Sequence, residues 1–117
     1  MDLAAAHEGM VTGTVWVANE REAGLTAIDA STNRVTDTVE GIPGPHDVQA
    51  APDGRTVWST SGPANLVVKL DASRYSLLGA AVTGASPAHV VLGTDGDKVH
   101  VSTAGDGSVS VFAAEQP

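Results

Sequence analysis

Residues 44–60 read GPHDVQAAPDGRTVWST, which is an extended run, a Pro-Asp-Gly turn at 52–54 and a β-rich run. The same arrangement returns at residues 86–103, SPAHVVLGTDGDKVHVST, where Asp95 stands 42 residues after Asp53. A repeat of about 40 to 45 residues with four short strands per unit is the spacing of β-propeller blades. The two stretches therefore predict two consecutive blades of a propeller.

Three columns of residues keep this 42-residue spacing through a third unit, which precedes the other two. The columns are Trp16, Trp58 and His100; Val15, Val57 and Val99; and Ile28, Leu70 and Phe112. Three independent columns with one period indicate a true repeat. The Gly and Pro residues between the units leave no long stretch with helical periodicity, so helix is not expected.

The predicted fold is all-β, a β-propeller segment of about three four-stranded antiparallel blades in a single domain over residues 1–117. The blades are expected at about 4–40, 44–82 and 86–117. The inner strand of the first blade falls on 4–9, and the outer strand of the third would fall beyond the last residue, so the third blade is predicted to be incomplete. Each Asp-Gly pair is expected to form a two-residue hairpin turn with both residues at positive φ.

Three blades do not close a ring, because propellers use about four to eight. Open blade faces and an unpaired strand edge are therefore expected. Either the chain is a piece of a larger protein, or copies of it associate to close the ring. The simplest closed product is a homodimer with six blades.

The composition excludes several classes of function. The chain of 117 residues has no Cys, which excludes a disulfide framework, a thiolate metal site and a cysteine nucleophile. Its net charge of −8 disfavours nucleic acid and anionic membranes as partners. No apolar run approaches the ~20 residues of a membrane helix. Residues 1–6 lack a basic segment, so no signal peptide is predicted, and the compartment stays open because a removed leader would leave no trace.

Two histidines carry the strongest hint of chemistry. His46, followed by Asp47, and His89 are expected at the starts of inner strands, which line the mouth of a propeller channel. Converging imidazoles can bind a divalent metal or act as acid and base. They can equally cap strand ends and hydrogen-bond between blades. His7 is a third candidate ligand of ambiguous register, whereas His100 is expected to be a packing residue.

The two tryptophans point to packing, and the familiar catalytic motifs are missing from the sequence. Trp16 and Trp58 are expected to be buried between blades. The chain has no nucleophile elbow, phosphate-binding loop, zinc-protease helix motif or complete dinucleotide fingerprint, so the motifs themselves support no catalysis.

The repeat motifs resemble those of a known family. In the second unit Pro45, Val48, Pro52, Asp53, Gly54, Val57 and Trp58 match the pattern P-x-x-V-x-x-x-P-D-G-x-x-V-Y. This pattern is similar to that of the YVTN-type (YncE-like) β-propeller repeat family. The resemblance implies an extracytoplasmic propeller, usually of seven blades, in a family that includes ligand-binding and surface proteins. A looser resemblance, through Pro45-His46 and residues 58–60, is to streptogramin lyase-type propellers, which use a metal and a catalytic histidine.

The expected function is a non-catalytic binding or scaffold module for a small molecule or a protein. The alternative is a metal-assisted lyase or hydrolase. In that alternative His46, Asp47 and His89 are the catalytic candidates, and His46, His89 and His7 are the metal ligands.

Overall fold

Three antiparallel β-sheets form the described part of the chain, residues 11–115 of a computed structural model. We call these sheets blades 1, 2 and 3. Blade 1 contains β1 (Thr14–Asn19), β2 (Gly24–Asp29) and β3 (Arg34–Glu40); blade 2 contains β4 (Pro45–Ala50), β5 (Thr56–Ser61), β6 (Leu66–Asp71) and β7 (Leu77–Val82); blade 3 contains β8 (Pro87–Leu92), β9 (Lys98–Thr103) and β10 (Ser108–Ala113). Within each blade every strand pairs with the next one along the chain, as in a propeller blade.

The predicted all-β propeller architecture is confirmed. The predicted inner strand at 4–9 and His7 lie outside the described residues. The loop after β1 contains a short 3-10 helix, Glu20–Glu22. Residues 11–115 include no helix long and apolar enough to span a membrane.

The Asp-Gly turns differ from their predicted form. Gly54 and Gly96 have the expected positive φ, 73° and 77°, but Asp53 and Asp95 do not. The Gly54 N–H donates a hydrogen bond of 2.9 Å to the Ala51 carbonyl, so the residues between them are the centre of the turn. In blade 2 the first central residue is a proline, whose ring fixes φ near about −65°. Only the glycine that closes the turn therefore needs the left-handed conformation.

Blades 2 and 3 share the best-packed interface. We call the face of a blade that is turned towards the next blade its front, and the opposite face its rear. Trp58 and Val67, on the front of blade 2, form one buried cluster with Val90, Val99 and Val101 on the rear of blade 3. All five side chains have no solvent exposure. The predicted burial of Trp58 between blades is confirmed.

Blades 1 and 2 pack through a second cluster. Leu25, on the front of blade 1, contacts Val68 and Leu70 on the rear of blade 2. Trp16 lies at the edge of this cluster and is half-buried, with its ring centroid 5.7 Å from that of Tyr75. Trp16 and Trp58, which occupy the same position of the repeat, thus both lie at an interface between blades, but only Trp58 is fully buried.

Candidate functional site at the mouth of blades 2 and 3

The inner strands β4 and β8 begin on the same side of the molecule, which we call the mouth face. Each strand starts with a buried proline, Pro45 or Pro87. The rings of His46 and His89 meet there, edge to face, with their centroids 5.2 Å apart. The two histidines predicted at the strand starts are therefore brought together by the packing of blade 2 against blade 3.

The two histidines do not occupy equivalent positions in the repeat. His89 stands 42 residues after Asp47, and His46 stands 42 residues before Ala88. The strand pairing is irregular between Pro45 and Val48 and at the same place in blade 3. Such bulges redirect side chains near strand ends. This irregular segment is where the two non-equivalent imidazoles meet.

Each imidazole also faces a carboxylate across a blade boundary. His46 Nδ1 lies 3.4 Å from Glu20 Oε2 of blade 1. His89 Nδ1 lies 3.7 Å from Asp47 Oδ2 of blade 2. The result is a row of four groups, Glu20, His46, His89 and Asp47, that runs across three blades. This geometry agrees with the interpretation in which the histidines make polar contacts between blades.

Asp47 is the best-anchored member of this row. Its Oδ2 accepts a hydrogen bond of 3.0 Å from the Val90 N–H in the neighbouring blade. Its Oδ1 accepts one of 2.9 Å from the Val48 N–H, and its carbonyl accepts one of 2.7 Å from Ser59 Oγ. The carboxylate therefore satisfies a backbone donor of β8, a structural task that reduces its freedom to act as a base.

A set of buried hydroxyl groups on β5 holds the inner strands beneath the mouth. Thr60 Oγ1 donates a hydrogen bond of 2.7 Å to the Ala88 carbonyl in blade 3. Ser61 Oγ donates to the Pro43 carbonyl in the segment that precedes β4. Ser59, Thr60 and Ser61 have no solvent exposure, so each polar group is buried with its partner. The sequence pattern predicted β5 but not this role of its hydroxyl groups.

The segment that leads into β8 is fixed by two side chains from the loops beside it. Asp106 Oδ2 accepts a hydrogen bond of 3.1 Å from the Ala85 N–H, and Asn65 Oδ1 accepts one of 3.0 Å from the Ser86 N–H. Hydrogen bonds from Ser108 and from the Ala85 N–H lower the pKa of Asp106 to about 2. The start of β8, and with it His89, is positioned by these contacts.

An open depression lies beside His46 on the mouth face and has a volume of about 450 Å³. Glu20, His46, Pro63 and Pro87 contribute to its wall, together with small residues such as Gly62. The exposed ring of Pro63 provides apolar surface, while the imidazole and the carboxylate provide hydrogen-bonding groups. A depression with this mixture can hold a ligand that has both a polar and an apolar part.

Glu20 is the site residue that the sequence did not reveal, because residues 19–24 read only as a polar loop. The available signal was topological. The loop between β5 and β6 of blade 2 lies on the same side as the start of the next inner strand, β8, because successive strands are antiparallel. The loop between β1 and β2 is its equivalent one repeat earlier, and it carries Glu20 to His46.

The metal-ligand prediction for His46, His89 and His7 stays a prediction, whereas the packing prediction for His100 can be compared with the exposure of its side chain. Within residues 11–115 no group of three or more His, Cys, Asp or Glu side chains is arranged to hold a metal ion. His46 and His89 supply two imidazoles, and the third candidate, His7, lies outside this range. His100 is exposed on the front of blade 3, where no described strand covers it, so the predicted packing role is wrong for the chain as described.

Comparisons with known proteins identify the fold and leave the family open. No family model matches the chain, and no curated protein is similar in sequence. Solved structures match well. The hydrazine synthase of Kuenenia stuttgartiensis superimposes with a TM-score of 0.84 and 22% identity, over 88% of this chain and 30% of that one. The fold is a β-propeller segment.

Two further structures agree with this conclusion. The dihydro-heme d1 dehydrogenase NirN matches with a TM-score of 0.75 and 19% identity, over 86% of this chain and 22% of that one. A protein of unknown function from Desulfotomaculum acetoxidans matches with a TM-score of 0.75 and 20% identity, over 87% of this chain and 34% of that one. The propeller segment thus spans about a third or less of each of these proteins. At such identities the likeness concerns the fold alone.

Proposed function

We propose that the chain is a non-catalytic β-propeller binding module whose ligand, a small molecule or a segment of another protein, binds on the mouth face beside His46 and His89. One observation carries the proposal: two imidazoles meet 5.2 Å apart next to a depression of about 450 Å³. About half of the His46 side chain and two thirds of the His89 side chain are exposed, at 44% and 67%. Both rings are therefore accessible to a ligand.

The chemistry of the mouth supports binding in preference to catalysis. Both carboxylate oxygens of Asp47 accept hydrogen bonds from backbone N–H groups, so this side chain is a positioned acceptor. The imidazoles can each donate or accept a hydrogen bond, and the exposed ring of Pro63 offers apolar contact. The ligand class that fits is a compound or peptide with a hydrogen-bonding group beside a small apolar group.

We further infer that the blades are of the YVTN type. The support is the motif in the second unit, from Pro45 to Trp58, and the return of its Asp-Gly element at Asp95. This assignment agrees with a binding role, since the family resemblance implies ligand-binding and surface proteins. It specifies turns and blade packing and does not identify a ligand.

The test is a ligand-observed NMR screen of a fragment panel in which every fragment combines a carboxylate, amide or hydroxyl group with a small apolar ring. Saturation transfer is compared between the wild type, the His46→Ala, His89→Ala double variant and the His100→Ala variant, which removes an exposed histidine from β9. We expect fragments whose signal is lost in the double variant and kept with His100→Ala. A panel without any such fragment would refute the proposed site.

A metal-assisted lyase or hydrolase is the second candidate, and the proximity of the two imidazoles is the observation that favours it. Catalytic zinc sites use three protein ligands and an open position. Among the described residues only His46 and His89 bring imidazoles together at the mouth, and no third side chain completes a metal site there, so His7 would have to provide the third ligand. Calorimetric titration with Zn²⁺ at about pH 7.5 and at about pH 5.5 tests this, because only neutral imidazole coordinates a metal. Stoichiometric binding that is lost at the lower pH and in the double variant would favour this candidate. Identical titrations of the wild type and the double variant would exclude it.

A further inference from the structure

The rear of blade 1 exposes apolar side chains at positions that are buried elsewhere in the repeat. Val15 and Val17 lie on this face and are 49% and 38% exposed. Val57 and Val99, which follow Val15 by one and two repeats, and Val101, which follows Val17 by two, are 0% exposed. In blade 3, Val99 and Val101 pack against Trp58 and Val67 on the front of the preceding blade. Blade 1 therefore presents a blade-packing face with no described partner.

The front of blade 3 shows the same mismatch. Val91, Val109 and Val111 lie on this face with exposures of 56%, 62% and 54%. The residues equivalent to Val109 in the earlier blades, Leu25 and Val67, are 0% exposed because the next blade covers them. Apolar patches of this kind mark interaction surfaces.

We propose that the front of blade 3 packs against the rear of blade 1 of a second copy of this chain, and that two copies close a six-bladed ring through two such contacts. The two faces are complementary because they are repeats of the faces that already pack together twice within the chain. A contact between two different faces generates a ring when its rotation closes, and six blades lie within the usual range of about four to eight.

The open front of blade 3 differs from the front of blade 2 at one charged position. In blade 2 the front face carries Lys69, whose Nζ donates a hydrogen bond of 2.8 Å to the Ala114 carbonyl of blade 3. The equivalent position in blade 3 is Val111. The exposed apolar side chains of the two open faces are thus valines, with His100 on the front of blade 3 where blade 2 has Trp58, while the net charge of −8 on each copy opposes association. Because salt screens this repulsion, we expect association to strengthen as the salt concentration rises.

The proposal concerns the edges of the segment and does not rest on the ligand site at the mouth. Two double variants test it, and each places two lysines on one of the open faces; we call them the blocked variants. One combines Val15→Lys with Val17→Lys on the rear of blade 1, and the other combines Val109→Lys with Val111→Lys on the front of blade 3. The matched control is Leu78→Lys, Val82→Lys. These residues are exposed on the outer strand of blade 2, 50% and 76%, and the control changes the charge equally.

Sedimentation velocity over a concentration series gives the readout. We expect the wild type and the control to sediment as twice the chain mass of 11.8 kDa, and each blocked variant alone as a single chain. An equimolar mixture of the two blocked variants should recover the dimer, because one intact contact remains between the unmodified faces. Circular dichroism checks that the variants fold, and Thr at the same positions replaces Lys if they do not.

Three results would overturn the proposal. The first is a wild type that stays monomeric at every concentration or forms assemblies larger than a dimer. The second is a blocked variant that still dimerises alone, since this would mean that like faces pair. The third is a mixture of folded blocked variants that remains monomeric although the wild type dimerises.

Discussion

Trp58 is the side chain that joins blades 2 and 3 most closely, so Trp58→Ala is the sharpest test of the packing. Its ring is 0% exposed and contacts the buried cluster that contains Val67 and Val99. Its Nε1 donates a hydrogen bond of 3.2 Å to Thr56 Oγ1, and Lys69 Nζ lies 5.4 Å from the ring centroid. The substitution removes all of these contacts and leaves a cavity between two blades.

The expected cost can be worked out from these contacts. Replacing a buried tryptophan by alanine costs about 3–5 kcal/mol through lost transfer energy and the remaining cavity. The cation–π contact with Lys69 contributes about 0.5–1 kcal/mol at a partly exposed site. We therefore expect a loss of about 3.5–6 kcal/mol, a large fraction of the roughly 5–15 kcal/mol that stabilises a domain. Trp16→Ala should cost about half as much, because Trp16 is only half-buried.

Urea unfolding followed by far-UV circular dichroism measures both losses without relying on tryptophan fluorescence. All proteins are compared at one chain concentration, because association would add to the apparent stability. A loss below about 1 kcal/mol for Trp58→Ala would refute the packing between blades 2 and 3. Equal losses for the two tryptophans would contradict the difference in burial between them.

Three further predictions concern the turns and the mouth. Gly54→Val should cost about 1–2 kcal/mol of unfolding free energy, because φ at this position is +73° and a β-branched residue is strained there. Gly54→Asn should cost clearly less, since asparagine tolerates positive φ and a Cβ would meet nothing within 4 Å. Equal losses for the two variants in urea unfolding would contradict a cost that comes from the backbone conformation alone. Asp106→Asn should lower the melting temperature near neutral pH, and this difference should shrink as the pH falls towards 2. The folded pKa of about 2 lies below the ordinary 3.8, so the contribution is fully present above 3.8 and is lost as the pH falls through 2. Asp47→Ala should cost about 1–3 kcal/mol in urea unfolding, because the buried Val90 N–H loses its acceptor. Glu20→Ala should be nearly neutral, because Glu20 makes only an exposed contact with His46. A larger loss for Glu20→Ala than for Asp47→Ala would contradict the hydrogen bond between Asp47 and Val90.

The blade architecture could be predicted because its signals are local in the sequence. Alternating apolar residues predict the strands, and the 42-residue columns align them into blades, so the positions of Trp58 and of the strands around it followed directly. The glycine that needs positive φ was also predictable, since turn chemistry depends on adjacent residues. The neighbouring Asp53 was assigned wrongly because Pro52 moves the centre of the turn by one residue.

The site was only partly predictable, because it depends on contacts between blades. The sequence indicated His46 and His89, but their meeting depends on irregular pairing near the strand starts. The contact of Glu20 with His46 depends on a 3-10 turn that ends at Ala23 with φ of 58°, an uncommon conformation for alanine. His100 occupies the same position of the repeat as Trp58, but blade 3 covers Trp58 whereas no described strand covers His100. The repeat position alone does not show whether a neighbouring blade covers the side chain.

Ligand binding at the point where His46 and His89 meet is tested most directly by chemical-shift mapping of the screened fragments on ¹⁵N-labelled protein. We predict that bound fragments shift the imidazole signals of both histidines and the amide signals of Ala88 and Val90. A second depression of about 450 Å³, lined by Asp95 among other residues, lies at the Asp-Gly turns on the opposite side of blades 2 and 3. Shifts confined to those turns, with the histidine signals unchanged, would contradict a binding site at the mouth.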